Sequence, residues 1–356
     1  MRFVVNDIAA TPDAGGVYSI LSDFYFDVLN KDHTNEWIFI LAGKFFPESN
    51  NVKIIERHDL KANKLKKLFF ERLNGRKYIN KLKPDVYISL QNIATYGIKA
   101  KFQIVYLHQP IPFETDKKFS FYKKNEQKLA VYQHLIGKFI KKSLSDITPT
   151  IIVQTEWMKK AVIEQTAVDR DKIIIAHPRI DNKTEGKYIG KGDLFFYPAS
   201  NYMYKNHSLI YKAINILKEN GIKQFKVDFT LNPNQLEYSD DCINYIGHVS
   251  RDEVMQMYNT HVLIFPSYIE SFGLPLIEAA IHSDIILASD TKFSSELLKN
   301  YTNVFYYPIN DAKKLAKLMQ DTIEGKIKSD SKKLSIIDNG ENLLETIKKI
   351  VNKNDK

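Results

Sequence analysis

Phe265-Pro266-Ser267-Tyr268-Ile269-Glu270-Ser271-Phe272-Gly273-Leu274-Pro275-Leu276-Ile277-Glu278-Ala279-Ala280 decides the fold. The apolar run ending at Phe265 predicts a buried strand, and Pro266 stops its sheet pairing. Gly273 permits a tight backbone, and Pro275 suits the first turn of a helix, where its missing N–H costs nothing. The amides of that helix start, together with the helix dipole, form an anion site suited to phosphate. Glu270 stands in the loop before it and Glu278 about one turn inside it. A carboxylate beside an anion site is better suited to accept hydrogen bonds from sugar hydroxyls than to bind the phosphate itself.

Outward from this stretch, short β-branched or aromatic runs alternate with amphipathic ones. Strands are predicted at Arg2–Val5, Trp37–Leu41, Val52–Ile55, Val86–Leu90, Ile104–Leu107, Ile151–Gln154 and Ile173–Ala176. Helices are predicted between them at Val17–Leu29, Lys61–Leu82, Lys123–Ser145 and Glu156–Gln165. The pattern then restarts, with strands at Leu194–Tyr197, Phe225–Leu231, Ile243–Ile246, Val262–Phe265 and Ile285–Ala288. Helices follow at His207–Asn220, Arg251–Asn259, Leu276–His282 and Ala312–Glu324. Near-continuous apolar strands separated by helices imply parallel sheets covered on both faces. The expected fold is therefore α/β, with two Rossmann-like domains, 1–180 and 181–333, facing across a cleft. Ile180–Asp193 serves as the linker, and a helix within 334–352 packs back on the first domain.

The chain has 356 residues, 44% hydrophobic and 26% charged, a soluble globular balance. Its apolar runs are too short to span a bilayer, and its first residues lack the apolar core of a signal peptide. A cytoplasmic protein is expected. The single cysteine, Cys242, can form neither an internal disulfide nor a multi-cysteine zinc site.

The net charge of +9 is uneven, with 21 basic residues against 7 acidic ones between Lys53 and Lys142. A solvated lysine surface, nucleic acid, an anionic membrane or a phosphorylated substrate could each account for it. Lysine far outnumbers arginine, which disfavours bidentate readout of guanine, and no nucleic-acid-binding motif accompanies the charge. Phe113 to Lys142 interleaves aromatics with lysines (Phe119, Phe121, Tyr122, Lys123, Lys124), which suits a headgroup interface. Membrane docking is preferred over nucleic acid.

The two glutamates seven residues apart, in a Pro-Ser-x-x-Glu-Ser-Phe-Gly-Leu-Pro-x-x-Glu-Ala frame, resemble the signature of retaining GT-B glycosyltransferases of family 4, the glycosyl transferases group 1. Ile246-Gly247-His248-Val249-Ser250, about 20 residues upstream, resembles it as well. The resemblance implies that Glu270 contacts hydroxyls of a donor sugar and Glu278 the nucleotide ribose. The amides around Ser271, Phe272, Gly273 and Leu274 would hold the diphosphate. Lys205 matches the family lysine that neutralises the leaving diphosphate. The family arginine five residues earlier is Ser200 here, which removes one positive charge from the phosphate site unless Asn201, Arg179 or another donor compensates. His108, after a buried strand, resembles the family histidine beside the reacting sugar. Gly16, in Asp13-Ala14-Gly15-Gly16-Val17, resembles a glycine near the diphosphate.

The implied activity is transfer of a sugar from a nucleotide-diphosphate donor to a hydroxyl acceptor with retention, in bacterial surface polysaccharide synthesis. The alternative is a weakened homologue that binds nucleotide sugars or supports a partner enzyme. Expected partners are a nucleotide sugar, a glycan or lipid-linked glycan acceptor and an anionic membrane surface at the inner face of the cell membrane, but no nucleic acid. No cofactor or metal is expected. Asp169-Arg170-Asp171 has the spacing of a metal motif, but acidic turn residues are common before a strand. Glu296, after Ser294-Ser295, is expected to cap or flank a helix start.

Overall fold

The computed structural model describes residues 1–12, 16–62, 69–180, 186–232, 238–334 and 342–353. The chain divides into two compact units, Met1–Arg179 with Gly340–Lys356, and Ile180–Asn339. The first is built on seven parallel strands: β1 (Arg2–Asp7), β2 (Glu36–Leu41), β3 (Val52–Glu56), β4 (Val86–Ser89), β5 (Phe102–Leu107), β6 (Thr150–Val153) and β7 (Ile173–Ile175). Their order is β3-β2-β1-β4-β5-β6-β7. Most strand interiors are wholly buried on both faces, as near-continuous Val, Ile and aromatic runs demand. The sheet reverses direction of growth between β1 and β4, the switch point at which open α/β sheets bind ligands.

The second unit has six parallel strands: β8 (Leu194–Tyr197), β9 (Lys226–Phe229), β10 (Ile243–Tyr245), β11 (Val262–Phe265), β12 (Ile286–Ser289) and β13 (Val304–Tyr307). They run in the order β10-β9-β8-β11-β12-β13, so its switch point lies between β8 and β11. Each unit by itself is Rossmann-like, and a chain of two such units is consistent with the GT-B architecture.

Helices α1 (Gly16–Lys31), α2 (Gly75–Lys81), α3 (Gly137–Ile147) and α4 (Glu156–Gln165) cover the first sheet. Helices α5 (His207–Glu219), α6 (Arg251–Met257), α7 (Leu274–Ile281), α8 (Lys292–Leu297) and α9 (Ala312–Ile323) cover the second. The final helix, α10 (Leu343–Lys353), contributes Leu344, Ile347, Ile350 and Val351 to the core of the first unit. Lys348 pairs there with Asp32 at 3.1 Å. Burial opposes ionisation of Asp32, but hydrogen bonds from Asn35 and the Lys348 ammonium outweigh it and hold the carboxyl at about 2.

Several elements differ from the sequence expectation. The long helix expected over Lys61–Leu82 is described as a short helix at His58–Ala62 and, after residues outside the description, a π-helical turn at Phe70–Asn74 leading into α2. The helix expected at Lys123–Ser145 likewise contains a π-helical stretch, Val131–Ile136, before α3. Leu334 belongs to the second unit, and Ile336 and Ile337 lie outside the described residues. Strand β13 was not expected, and helix α8 was expected only as a helix start near Glu296. Thr291 caps α8, accepting from the Ser294 amide, so Glu296 is inside that helix and not at its start.

Candidate active site

At the second switch point, the loops after β8 and β11 meet. Tyr197, wholly buried at the end of β8, donates its hydroxyl to the carbonyl of Lys205 at 2.8 Å and fixes the turn Met203–Lys205. Asn206 then takes a left-handed conformation (φ 58°) that ends the turn and starts α5. Lys205 Nζ reaches Glu270 Oε1 at 2.5 Å, with both side chains largely buried. Ser267 Oγ lies 2.6 Å from the same oxygen and 3.3 Å from the Tyr204 carbonyl. Its single proton serves one acceptor at a time, and the shorter bond orients Glu270. The Tyr268 amide also donates to the Tyr204 carbonyl at 3.2 Å. The two loops are thus tied by backbone and side chain, and two of the sequence-derived catalytic candidates are in direct contact.

Gly273 ends the β11–α7 loop with φ 100°, a conformation in which any side chain would be strained. It is the residue before α7, and Leu274 and Pro275 form the first turn. Phe272 is buried, whereas Ser271 and Leu274 are half-buried. One turn on, Glu278 is almost wholly buried and meets Arg251 Nη2 at 3.0 Å; the Tyr258 hydroxyl donates to its other oxygen at 3.4 Å. Burial pushes the Glu278 carboxyl above its ordinary value, and Arg251 and Tyr258 oppose the shift.

Arg251 was missed by sequence reasoning. It is the first residue of α6, set by a reciprocal cap in which the Glu253 amide donates to Ser250 Oγ at 3.3 Å and the Ser250 amide to Glu253 Oε2 at 2.7 Å. Ser-x-x-Glu was visible in the sequence, and it located the helix start, but nothing in the spacing of 27 residues pointed Arg251 at Glu278.

Ser200, standing where the family carries arginine, is exposed, and so are Asn201 and Arg179; Arg179 ends the first unit. Beside Lys205, His207 is buried at the start of α5 against Tyr197 and Phe229. Burial, reinforced by the Lys205 charge, pushes its pKa down to about 4, so the imidazole is neutral.

His108 and Gly16 belong to the first unit. His108 follows β5, with its amide donating to Asn92 Oδ1 at 2.7 Å and its Nε2 3.3 Å from Asn92 Nδ2. Gly16 is exposed at the start of α1, while Asp13, Ala14 and Gly15 lie outside the described residues. At the first switch point the structure assembles a buried network that sequence reasoning did not find. Glu71 Oε1 accepts from Asn6 Nδ2 at 3.0 Å and Gln91 Nε2 at 2.9 Å, and Glu71 Oε2 accepts from Thr95 Oγ1 at 2.5 Å. Glu71 was hidden within an apparently amphipathic helix, whereas the structure places it, buried, in the π-helical turn Phe70–Asn74.

Asp169-Arg170-Asp171 forms an exposed turn before β7, in which the Lys172 amide donates to the Asp169 carbonyl. Among the described residues, no group of three or more His, Cys, Asp or Glu could hold a metal, and no helix is long and apolar enough to cross a membrane. In the basic segment, Phe119 is buried, which corrects its reading as an interface residue. Phe121, Tyr122, Val131, Leu135 and Ile136 are exposed instead, and Tyr122 almost completely so at 98%.

Residues 179–342 match the family model for glycosyl transferases group 1. Among solved structures, the chain resembles sucrose-phosphate synthase from Thermosynechococcus elongatus, at 13% identity and a TM-score of 0.66, covering 93% of this chain and 92% of that one. It also resembles Anabaena HepE in complex with UDP and glucose, at 12% identity and a TM-score of 0.61 over 93% and 92% of the two chains. A third is WaaG, a glycosyltransferase involved in lipopolysaccharide biosynthesis, at 11% identity and a TM-score of 0.61 over 90% of each chain. TarM is longer, and the chain spans about half of it (51%). No curated protein sequence matches the chain.

Proposed function

We propose that this chain, whose residues 179–342 match the family model for glycosyl transferases group 1, is a GT-B glycosyltransferase that moves a sugar from a nucleotide-diphosphate donor to a hydroxyl acceptor with retention of configuration. The observation that carries this reading is the Lys205–Glu270 pair at the second switch point. Both bonds described above use Glu270 Oε1, and the other carboxylate oxygen, Oε2, would accept from a hydroxyl of the donor sugar. Lys205 supplies positive charge where the diphosphate departs, and the start of α7 adds its amides and dipole. Preorganisation matters because charge builds on the leaving phosphate at the transition state, and donors already in position need no rearrangement then. Glu278 accepts from the ribose, held by Arg251 and Tyr258. His108 acts at the reacting sugar and Gly16 near the diphosphate, by the family resemblance of their sequence positions.

Screening nucleotide sugars for turnover, then assigning the product anomer by NMR, tests the reaction. Glu270→Ala should abolish transfer, a loss of at least about a thousandfold, and leave nucleoside-diphosphate affinity largely intact. Wild-type turnover in that variant would sink the assignment. The exposed Ser200 in place of an arginine favours a second reading, a weakened homologue that binds nucleotide sugars. Tight nucleotide binding by the wild type with no turnover on any donor would select it.

We further propose that the acceptor is a lipid-linked glycan of a surface polysaccharide and that the first unit docks on an anionic bilayer. Supporting it, Phe121, Tyr122, Val131, Leu135 and Ile136 are exposed among Lys118, Lys123, Lys124, Lys128, Lys138 and Lys142, all exposed too. Phe121 rests 5.5 Å from the His134 ring, which ties the loop to the helix. Aromatic and aliphatic bodies would bury among headgroups, and each lysine near the surface would add about 1 kcal/mol. The chain should co-sediment with anionic vesicles at low salt and be released at high salt. Equal recovery with neutral vesicles, or none with either, would return the patch to a solvated lysine surface.

A further inference from the structure

We propose that Tyr202, stacked on Tyr204 beside the Lys205–Glu270 pair, is a platform for the apolar face of a hexopyranose ring. The inference rests on the donor-site reading of Lys205 and Glu270. The rings of Tyr202 and Tyr204 are parallel within 4°, with centroids 5.5 Å apart, and Tyr202 is 59% exposed. Lys205 Nζ lies 5.7 Å from the Tyr204 ring centre. The turn is stiff. The Tyr202 amide donates to the Ser200 carbonyl at 2.8 Å, and the Lys205 amide to the Tyr202 carbonyl at 2.9 Å. The Tyr204 carbonyl accepts from the Tyr268 amide at 3.2 Å, joining the turn to the loop that carries Glu270.

A flat, exposed aromatic face on a stiff turn is prepared for a ligand at little further cost in side-chain freedom. The ligand chemistry follows from the neighbours. A pyranose ring presents hydroxyls at its edge and C–H groups on its face. Glu270 and Lys205 suit the edge and the charge, and the tyrosine ring suits the face. A nucleobase is also flat, but its ribose is assigned to Glu278, whose partners Arg251 and Tyr258 come from α6 and the residue after it and not from this turn. The ring on the platform has two sources, the transferred sugar of the donor or the terminal sugar of the acceptor.

The test compares Tyr202→Ala, Tyr202→Phe and Tyr202→Trp, using the nucleotide sugar selected by turnover and the corresponding nucleoside diphosphate. Tyr202→Ala should weaken nucleotide-sugar binding about tenfold and leave nucleoside-diphosphate binding unchanged, while Tyr202→Phe and Tyr202→Trp keep wild-type affinity. A tenfold rise confined to the acceptor KM would also support the platform and identify the acceptor as its source. Equal loss for nucleotide sugar and nucleoside diphosphate would overturn it in favour of a base, and no loss in any arm would overturn it outright. Wild-type turnover in Glu270→Ala marks failure of the donor-site reading instead, so the two failures are distinct.

Discussion

Both units are parallel α/β sheets, and both gather polar side chains where the strand order reverses, yet the groups gathered there differ. In the second unit a lysine meets a glutamate, Lys205 on Glu270, and an arginine meets another, Arg251 on Glu278. In the first, Glu71 accepts hydrogen bonds from the neutral side chains of Asn6, Gln91 and Thr95. Cations at a strand end suit a ligand that carries charge, and a neutral amide and hydroxyl lattice suits fixing loop shape. On the function proposed above, the same scaffold position would do electrostatic work in one unit and architectural work in the other.

The contrast can be broken from the architectural side first. Glu71→Ala removes the shared acceptor and leaves three buried donors without it, which should destabilise the first unit by about 3 kcal/mol. Denaturant unfolding followed by hydrogen exchange would locate the loss, and an equal loss in the second unit would mean that the network is not local.

Next in size, Lys205→Ala should weaken nucleoside-diphosphate binding by about 1.5–3 kcal/mol, the scale of a charge-assisted hydrogen bond. Unchanged affinity in calorimetry would mean the ammonium serves only Glu270. The converse variant, Ser200→Arg, sharpens the same point: tighter donor binding would show that the missing charge limits affinity, and no gain would show that the phosphate contacts are arranged differently.

The smallest effect concerns Arg251→Met. Burial already raises the Glu278 carboxyl, so folding favours its neutral form. That contribution is complete below the ordinary carboxylate range and is lost as pH rises through the raised value. Without Arg251 the value rises further. With the carboxylate in its proposed role as ribose acceptor, nucleotide affinity should then fall on acidification at a higher pH than in the wild type, with a loss of about 1 kcal/mol near neutrality. Superimposable pH profiles would remove Arg251 from the site.

The sheets were legible in the sequence because buried parallel strands are written as unbroken apolar runs, and Leu194–Tyr197 and Val262–Phe265 match to the residue. Val304–Tyr307 escaped because it is the edge strand, half-exposed over three of its four residues. The extent of Lys292–Leu297 escaped because six residues are too few for a period, although Thr291 and Ser294 held the capping signal. At the site, Lys205 and Glu270 could be named because each belongs to a local frame. Arg251 and Glu71 could not, since their partners are assembled only by the fold. Phe119 and Phe121 differ by two positions in one aromatic run, yet one is buried and the other exposed. Composition identifies such a run but not which ring turns outward.

The return of α10 to the first unit has a consequence for how the chain is made. Leu344, Ile347, Ile350 and Val351 complete a core whose other members were synthesised before the entire second unit. On the ribosome, the earlier unit therefore waits unfinished while the later one, continuous in sequence from Ile180 to Asn339, can close as soon as it emerges. Order of synthesis and order of completion are reversed, and the exposed interval belongs to the half that is made first.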